Sequence, residues 1–396
     1  MKSILSIILF VLSAIYSEAS NHKANSDSLA GNQIDNYSIN QVLILNAGYI
    51  GDFAGNMMGG KSKGTVFLGM ANIDLSFATQ NIGLWRGGEL YFNGAATHGQ
   101  SPTEKLTGDF QVISNIDAGG DYVFIQEFWY KQSFNKFDLT LGLQDMNASF
   151  VSSDNSGMFI NSSFGIASVI SANVPTSIFP LTTLGIIGKF SLSESIDFGF
   201  AVFDGKPTSF SENKYNASWK LKKEDGVLFI SEMNYSRNST NGVSCYKVGF
   251  YYHTGYSEKD YETEQMAVVF AENYGFYLLT DHTLVRHNKR SIGIFSQLAY
   301  SPPSINTHHL YIGLGTNIKG LFKQKPDVEI GTAIAFADFK NQTNHSHETI
   351  FELYCNIPFF GNFYIQPDIQ YVLNPLGTDM DLNNALAGIL RFGFSI

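Results

Sequence analysis

The chain is short of cysteine, of charge and of long apolar runs, and each shortage removes a class of protein. It has 2 cysteines in 396 residues, Cys245 and Cys355. That is too few for a disulfide framework. Both lie in strand-like segments and read as ordinary packed residues, with a single bridge between them left open. Charged residues make up 15 %, against roughly 25 % in ordinary soluble domains. The 25 Lys and Arg are outnumbered by 35 Asp and Glu, for a net charge of -10, and no basic cluster stands out. This excludes nucleic acid as a partner, because that affinity comes mainly from neutralised phosphates. Beyond the first twenty residues no long apolar run free of charge and proline occurs, so no membrane helix is expected. No G-x-S-x-G and no spaced Ser/His/carboxylate set appears, which argues against a hydrolase. No cofactor or metal is implied. The abundant residues are 33 Phe, 20 Tyr and 37 Gly, a composition suited to a β-protein with two differently wetted faces.

The N-terminus sets the compartment. Lys2 supplies a positive start, Ile4 to Ile15 an apolar core, and Ser17-Glu18-Ala19 a small-x-small cleavage site. Residues 1–19 therefore read as a signal peptide, cut after Ala19. Residues 20–40 are polar and read as a flexible lead-in. The remainder, 41–396, is one domain.

That domain alternates. In Ile196-Asp197-Phe198-Gly199-Phe200-Ala201-Val202 one face is large and apolar and the other small or acidic. The closing segment puts Leu386, Gly388, Leu390, Phe392, Phe394 and Ile396 on one face and Ala387, Ile389, Arg391, Gly393 and Ser395 on the other. Period two is the strand period. We count 16 or 17 segments of this kind by inspection of the sequence, joined by Gly/Asn/Asp/Ser-rich connections, with longer polar stretches at 145–182, 204–225 and 279–290. A short helix fits within Asp145 to Phe164. A transmembrane antiparallel β-barrel, all-β and of 16 strands, accounts for strands this long with one lipid-facing and one lumenal face.

Specific words then follow in order. Gly83-Leu84-Trp85-Arg86-Gly87-Gly88-Glu89 leads to Asn93-Gly94 and Thr97-His98-Gly99. Next come Gly108-Asp109, Ser114-Asn115-Ile116, Gln126-Glu127-Phe128-Trp129-Tyr130 and Gly142-Leu143-Gln144-Asp145-Met146-Asn147-Ala148-Ser149-Phe150. Phe159-Ile160-Asn161-Ser162-Ser163-Phe164-Gly165, Phe179-Pro180 and, near the end, Gln366-Pro367-Asp368-Ile369-Gln370-Tyr371-Val372-Leu373-Asn374-Pro375 complete the set. The order resembles the carbohydrate-selective porins of the OprB type, over essentially 41–396. Two departures stand out: the chain ends in Ile396 where outer-membrane barrels commonly end in Phe, and Arg86 stands among glycines where the family usually has small residues. The resemblance implies a 16-stranded barrel in a bacterial outer membrane, through which small neutral sugars diffuse without an energy source. A monomer and a homo-oligomer such as a trimer both stay open.

Three motifs invite other readings. Gly55-Asn56-Met57-Met58-Gly59-Gly60-Lys61-Ser62 matches the phosphate-binding loop. That loop works only ahead of a helix, and Thr65 to Phe77 alternate as a strand, so it reads as a Gly-rich turn. His308-His309 point to opposite sides of a strand, and His345-Ser346-His347 lie in a polar loop, which makes neither a metal site. What remains is the lumen. A sugar offers apolar ring faces and polar rims, so a channel that favours it needs aromatic platforms and charged or amide side chains. Alternation puts Glu127, Trp129 and Lys131 on one face, opposite Phe124, Gln126, Phe128 and Tyr130. Trp85, Glu89, Tyr91 and Asn93 share a face, as do Gln366, Asp368 and Gln370, and Arg391 faces inward if Phe392 and Phe394 face lipid. The candidate pore lining is Trp85, Arg86, Glu89, Glu127, Trp129, Asp368 and Arg391, although Arg86 falls on the face opposite Trp85. An aromatic girdle at the rim is the competing place for Trp85 and Trp129. The 145–182 stretch is expected to fold inward and narrow the pore. A general, weakly cation-leaning porin and a plugged structural or adhesive barrel are the alternative functions.

Overall fold

The alternating segments become strands in the computed structural model, which describes residues 43–240, 242–259, 266–286, 290–340, 345–378 and 380–396. The expected signal peptide (1–19) and lead-in (20–40) lie outside the described residues. In chain order the strands are β1 (Ile44–Met58), β2 (Gly64–Ala78), β3 (Gly88–Gly99), β4 (Tyr122–Phe134), β5 (Phe137–Gln144) and β6 (Thr183–Ser191). They continue with β7 (Ile196–Asp204), β8 (Val227–Ser239), β9 (Gly242–His253), β10 (Tyr256–Lys259), β11 (Met266–Phe270) and β12 (Asn273–Arg286). The last are β13 (Arg290–Tyr300), β14 (His308–Lys319), β15 (Glu329–Phe339), β16 (His347–Pro358), β17 (Tyr364–Leu373) and β18 (Ala385–Ser395).

All but β10 and β11 pair side by side into one closed antiparallel barrel of sixteen strands, with β9 joined to β12 and β18 paired back on β1. Closure leaves the barrel itself without an unpaired sheet edge. β10 and β11 form a separate hairpin. Among the described residues no helix is long and apolar enough to cross a membrane.

The pleat sorts the faces as alternation requires. On β18, Ala385, Ala387, Ile389 and Arg391 are buried, while Leu390 and Phe394 are exposed on the outside. One stretch departs from the sequence reading. The polar run 279–290 continues β12 as far as Arg286 and is mostly strand. Its Asp281 and Thr283 bind Asn155 of an inward loop, so hydrogen bonds inside the barrel take the place of an apolar pattern. The Gly55–Ser62 motif ends β1 and turns, with Gly59 and Gly60 at φ of 62° and 61°. A strand follows it, as expected.

The interior is not uniformly wet. Residues 145–182, between β5 and β6, fold inside as short 3-10 turns and two single-turn helices, Ser162–Gly165 and Ser168–Ser171. Phe150, Phe159, Ile160, Phe164, Val169 and Ile170 of this loop are buried in one core with inward Tyr251, Tyr277, Phe295, Tyr311 and Tyr354 of the wall. Each such side chain contributes about 1.5–3 kcal/mol of burial. The wall makes room with glycine. Tyr277 lies across from Gly249 and Tyr354 across from Gly331, and a Cβ on either glycine would run into the ring.

Candidate functional site on the inner wall

Wall carboxylates hold the inward loops by their backbone. Glu352 of β16 accepts the N–H groups of Ile160 (2.6 Å) and Asn161 (3.0 Å). Glu348, two repeats of the pleat away on the same face, accepts those of Phe110 (2.7 Å), Gln111 (3.0 Å) and Leu376 (2.8 Å). Glu232 of β8 accepts from Val151 (2.9 Å) and from the Tyr277 hydroxyl (2.9 Å). Asp281 of β12 accepts from the Asn155 N–H (2.9 Å) and the Ser153 hydroxyl. Irregular backbone folded into a barrel has N–H groups that no sheet ladder satisfies, and a buried unpaired one is costly. A carboxylate offers up to four acceptor positions and so suits the task. At the start of the long loop, Asp145 accepts from Asn147 (2.8 Å), Phe179 (3.0 Å) and the Gln126 side chain (3.1 Å). Burial holds its carboxyl above the usual range even against these donors.

The wall from β2 to β7 differs. The Cβ direction of Gly199 on β7 points at the Phe150 ring of the inward loop, which makes that face the inner one. Register carries the face across the strands: Gly199 opposes Lys189, Lys189 opposes Asp138, and Lys131 opposes both Thr140 and Glu89. Lys189 and Asp197 are inward yet solvent-exposed, and Glu89, Tyr91, Glu127, Trp129 and Lys131 are half-buried. Glu89 and Lys131 form an ion pair at 2.6 Å, and Ser76 donates to Glu89 (2.9 Å). The Tyr91 and Trp129 rings stack with centroids 4.7 Å apart and 24° between planes. The Lys131 ammonium sits 5.6 Å from the Trp129 ring. Asp74 takes hydrogen bonds from the Tyr91 hydroxyl (2.7 Å) and the Asn93 amide. Glu127 accepts from the Trp129 indole (3.3 Å) and the Asp145 N–H (3.2 Å). Positive and negative groups thus alternate along a partly wet wall, around a flat aromatic pair.

A closed sixteen-strand barrel with the 145–182 loop and the 100–121 loop between β3 and β4 folded inward, and with a charged, aromatic inner wall, is channel architecture, and a family model described as "Carbohydrate-selective porin, OprB family" matches residues 68–396. The chain belongs to the OprB family. A structure of OprB from Pseudomonas putida determined at high pH superposes with TM-score 0.79 at 18 % identity, over 89 % of this chain and 94 % of that one. The low-pH structure of the same protein gives 0.57 at 15 % identity, over 89 % and 92 %. A loop-deleted OmpT from Vibrio cholerae gives 0.51 at 10 % identity, over 90 % and 100 %. No curated protein matches the chain by sequence. This OprB-family chain is a bacterial outer-membrane porin, a channel for the diffusion of small carbohydrates.

Within this OprB barrel the seven residues singled out from the sequence fall into three places. Glu89, Glu127 and Trp129 come together on the half-buried β2–β7 wall. Asp368 and Arg391 also point inward, but both are buried beneath the loops, at 3 % and 6 % exposure. Arg391 is engaged by Asp52 and Asn115, and Gln370 donates to Asp368. Trp85 and Arg86 stand in the 79–87 turn, at the rim that holds both ends of the barrel chain. The Trp85 indole donates to the Tyr130 hydroxyl (2.7 Å), and Tyr130 is paired with the exposed Leu90 and Leu141 on the outer face. Trp85 therefore takes the girdle place, not the inner one. Arg86 is exposed, and its carbonyl accepts from Gln132 (3.0 Å). A second correction concerns β4. Asn93 pairs with Glu127 and Gly94 with Ile125, so Gln126 is an extra residue in a bulge. The bulge brings Gln126 inward beside Glu127, where it reaches Asp145. Beyond it Phe124 is also buried, although simple alternation places both residues outside.

Sequence reasoning missed Asp52, Glu232, Asp281, Glu348 and Glu352. One signal was available for the last two. Glu348 and Glu352 share a face of a strand otherwise rich in Ile, Phe, Leu and Tyr, and a carboxylate pair so placed needs donors from elsewhere.

Proposed function

We propose that sugars pass along the inner wall of β2–β7, with Trp129 and Tyr91 as the ring-face platform and Glu89, Glu127 and Lys131 exchanging hydrogen bonds with the hydroxyls. The observation that carries this reading is the contrast in wetness between the two halves of the wall. Lys189 and Asp197 are inward and exposed, and the residues around the Trp129 ring are half-buried, whereas Asp52, Glu348, Glu352, Asp368 and Arg391 are sealed. Only side chains that water reaches can trade water for a solute. The mixture of signs supports passage of neutral polar molecules, since neither ion sign meets a uniform field. On the outer face, Ile73, Leu90, Leu141 and Ile186 are exposed and would meet outer-membrane lipid.

The test is swelling of proteoliposomes in matched osmolarities of glucose, a disaccharide and an amino acid the size of glucose. The intact protein should swell faster in the sugars, and Trp129→Ala should bring the glucose rate down towards that of the amino acid. Equal rates for all solutes of one size, before and after the substitution, would replace this reading with a general porin.

A further inference from the structure

Four loops meet at the rim opposite the chain ends and leave a cavity of about 380 Å³ between them. This is within the range of about 300–1,000 Å³ usual for small-molecule pockets. Its wall is aromatic. The Phe110 ring packs edge-on against His308 (centroids 5.1 Å apart) and Phe339 (4.8 Å), and His308 stacks on Phe339 at 4.9 Å. Leu376 and Ile305 extend the apolar surface, while Asn173, Asn306 and Thr307 add amides and a hydroxyl. Among the described residues no lysine, arginine, aspartate or glutamate lines it. Both ring nitrogens of His308 are already engaged, with the Ser168 hydroxyl and the Asp338 carbonyl, each at 2.9 Å.

The cavity is built rather than left over. Glu348 takes N–H groups from both Phe110 and Leu376, so one wall carboxylate fixes two of the four loops. Asn273 of β12 donates to the Asn173 carbonyl (3.0 Å) and to the Asn306 side chain (2.7 Å), and so ties the other two together. Asn173 in turn donates to the His308 carbonyl at 2.7 Å. A binding surface held this way loses little freedom when it is occupied.

We propose that this cavity is a capture site for one pyranose ring of a neutral sugar, separate from the β2–β7 wall. An uncharged lining gives no counter-ion to an amino acid, a nucleotide or a metal. Flat rings beside amides and a hydroxyl match a molecule with an apolar C–H face and a polar rim. The site stands at the mouth, where binding raises the local sugar concentration ahead of passage. The inference rests on the reading of the channel as a sugar path, and the two fail differently.

The experiment is saturation-transfer NMR of the full barrel in detergent with methyl α-glucopyranoside, with glycine betaine as a zwitterionic comparison. Thr307→Trp fills the mouth of the cavity, and Phe110→Leu keeps apolar bulk but removes a flat ring. Both variants should weaken the apparent sugar affinity tenfold or more, with single-channel conductance in KCl and the heat-dependent gel mobility of the folded barrel unchanged. Trp129→Ala should leave most of the sugar signal in place. Sugar binding at the original strength in both cavity variants, equal binding of glycine betaine, or loss of the signal in Trp129→Ala alone would overturn the capture site. Swelling without sugar preference, alongside a signal that the cavity variants remove, would overturn the wall path and leave the capture site standing.

Discussion

Arg391 and Asp52 face each other across the strand pair that closes the barrel, and the guanidinium meets both carboxylate oxygens at 2.8 Å. The first and last strands of the domain are thus joined by a two-point, charge-assisted contact as well as by their ladder. The same pair reaches inward: Arg391 donates to the Asn115 side chain (2.8 Å), and Asp52 accepts from the Ser114 hydroxyl (2.7 Å). Asp52 is 0 % and Arg391 6 % exposed. Removing one partner of a buried pair leaves the other charge uncompensated, at a cost of about 3–5 kcal/mol, whereas replacing both with apolar residues can be close to neutral. Arg391→Met should therefore lower the urea midpoint of unfolding in detergent micelles markedly. Arg391→Met combined with Asp52→Leu should recover most of it. A double variant no more stable than the single one would mean that the pair matters through shape and not through charge.

Glu352 makes a second, local prediction. Its two oxygens take the N–H groups of Ile160 and Asn161, in the middle of the long inward loop. Glu352→Leu removes both acceptors and leaves two buried donors unpaired, at about 1–3 kcal/mol each. The barrel should still close, because no ladder bond involves the side chain. The loop should come loose, seen as rapid flicker between conductance levels in single-channel recordings. Steady, wild-type steps would mean that the aromatic core alone keeps the loop in place.

The strands and their faces were legible because the outer surface enforces period two over each strand, β18 most plainly. What was hidden depends on contacts that local patterning does not record. Trp85 was assigned by running alternation back through a turn, where Gly83 and Gly87 at φ of 78° and 79° reverse the chain before β3 begins. In β4 the sequence Phe124-Ile125-Gln126-Glu127-Phe128 gives no sign of an extra residue, and the bulge is fixed by Gln126 meeting Asp145. Asp368 and Arg391 were legible as inward residues but not as sealed ones. What lies over them comes from loops far away in sequence: Asn115 meets Arg391, and Met158 and Asn161 meet Gln366 and Gln370 on either side of Asp368. Glu89, Glu127 and Trp129 converge because β3 and β4 are sequence neighbours, so alternation alone was enough to put them on one wall.

Removal of residues 150–175 tests what the inward loop does for the pore. The deleted stretch supplies Phe150, Phe159, Phe164, Val169 and Ile170 to the interior core. Its absence would leave Phe295, Tyr311 and Tyr354 facing water and Glu232 and Glu352 without their backbone donors. The shortened barrel should conduct KCl several-fold better and unfold at lower urea concentration. It should also lose discrimination between glucose and the disaccharide. An unchanged conductance would mean that the tightest point lies elsewhere, along the 100–121 loop.

The two cysteines provide a test of inside and outside within one molecule. Both thiols are free, and they point in opposite directions. Cys245 of β9 opposes Asp281, an inner-face residue, and its thiol donates to the Asn234 side chain at 2.9 Å. Cys355 of β16 lies between inward Tyr354 and Asn356 and pairs with Ile330, which puts it on the outer face. A small, charged, water-soluble methanethiosulfonate should therefore modify Cys245 in reconstituted protein and leave Cys355 to lipid-soluble maleimides. Cys245 shares its strand face with Lys247, which is drawn towards Glu232 at 3.9 Å and the Ser152 carbonyl at 2.7 Å. A positive adduct at Cys245 should then reduce conductance by a visible step, and Cys245→Ser should abolish the step while Cys355→Ser does not. Modification of Cys355 by the charged reagent at the same rate would contradict the assignment of faces on which the sugar path is built.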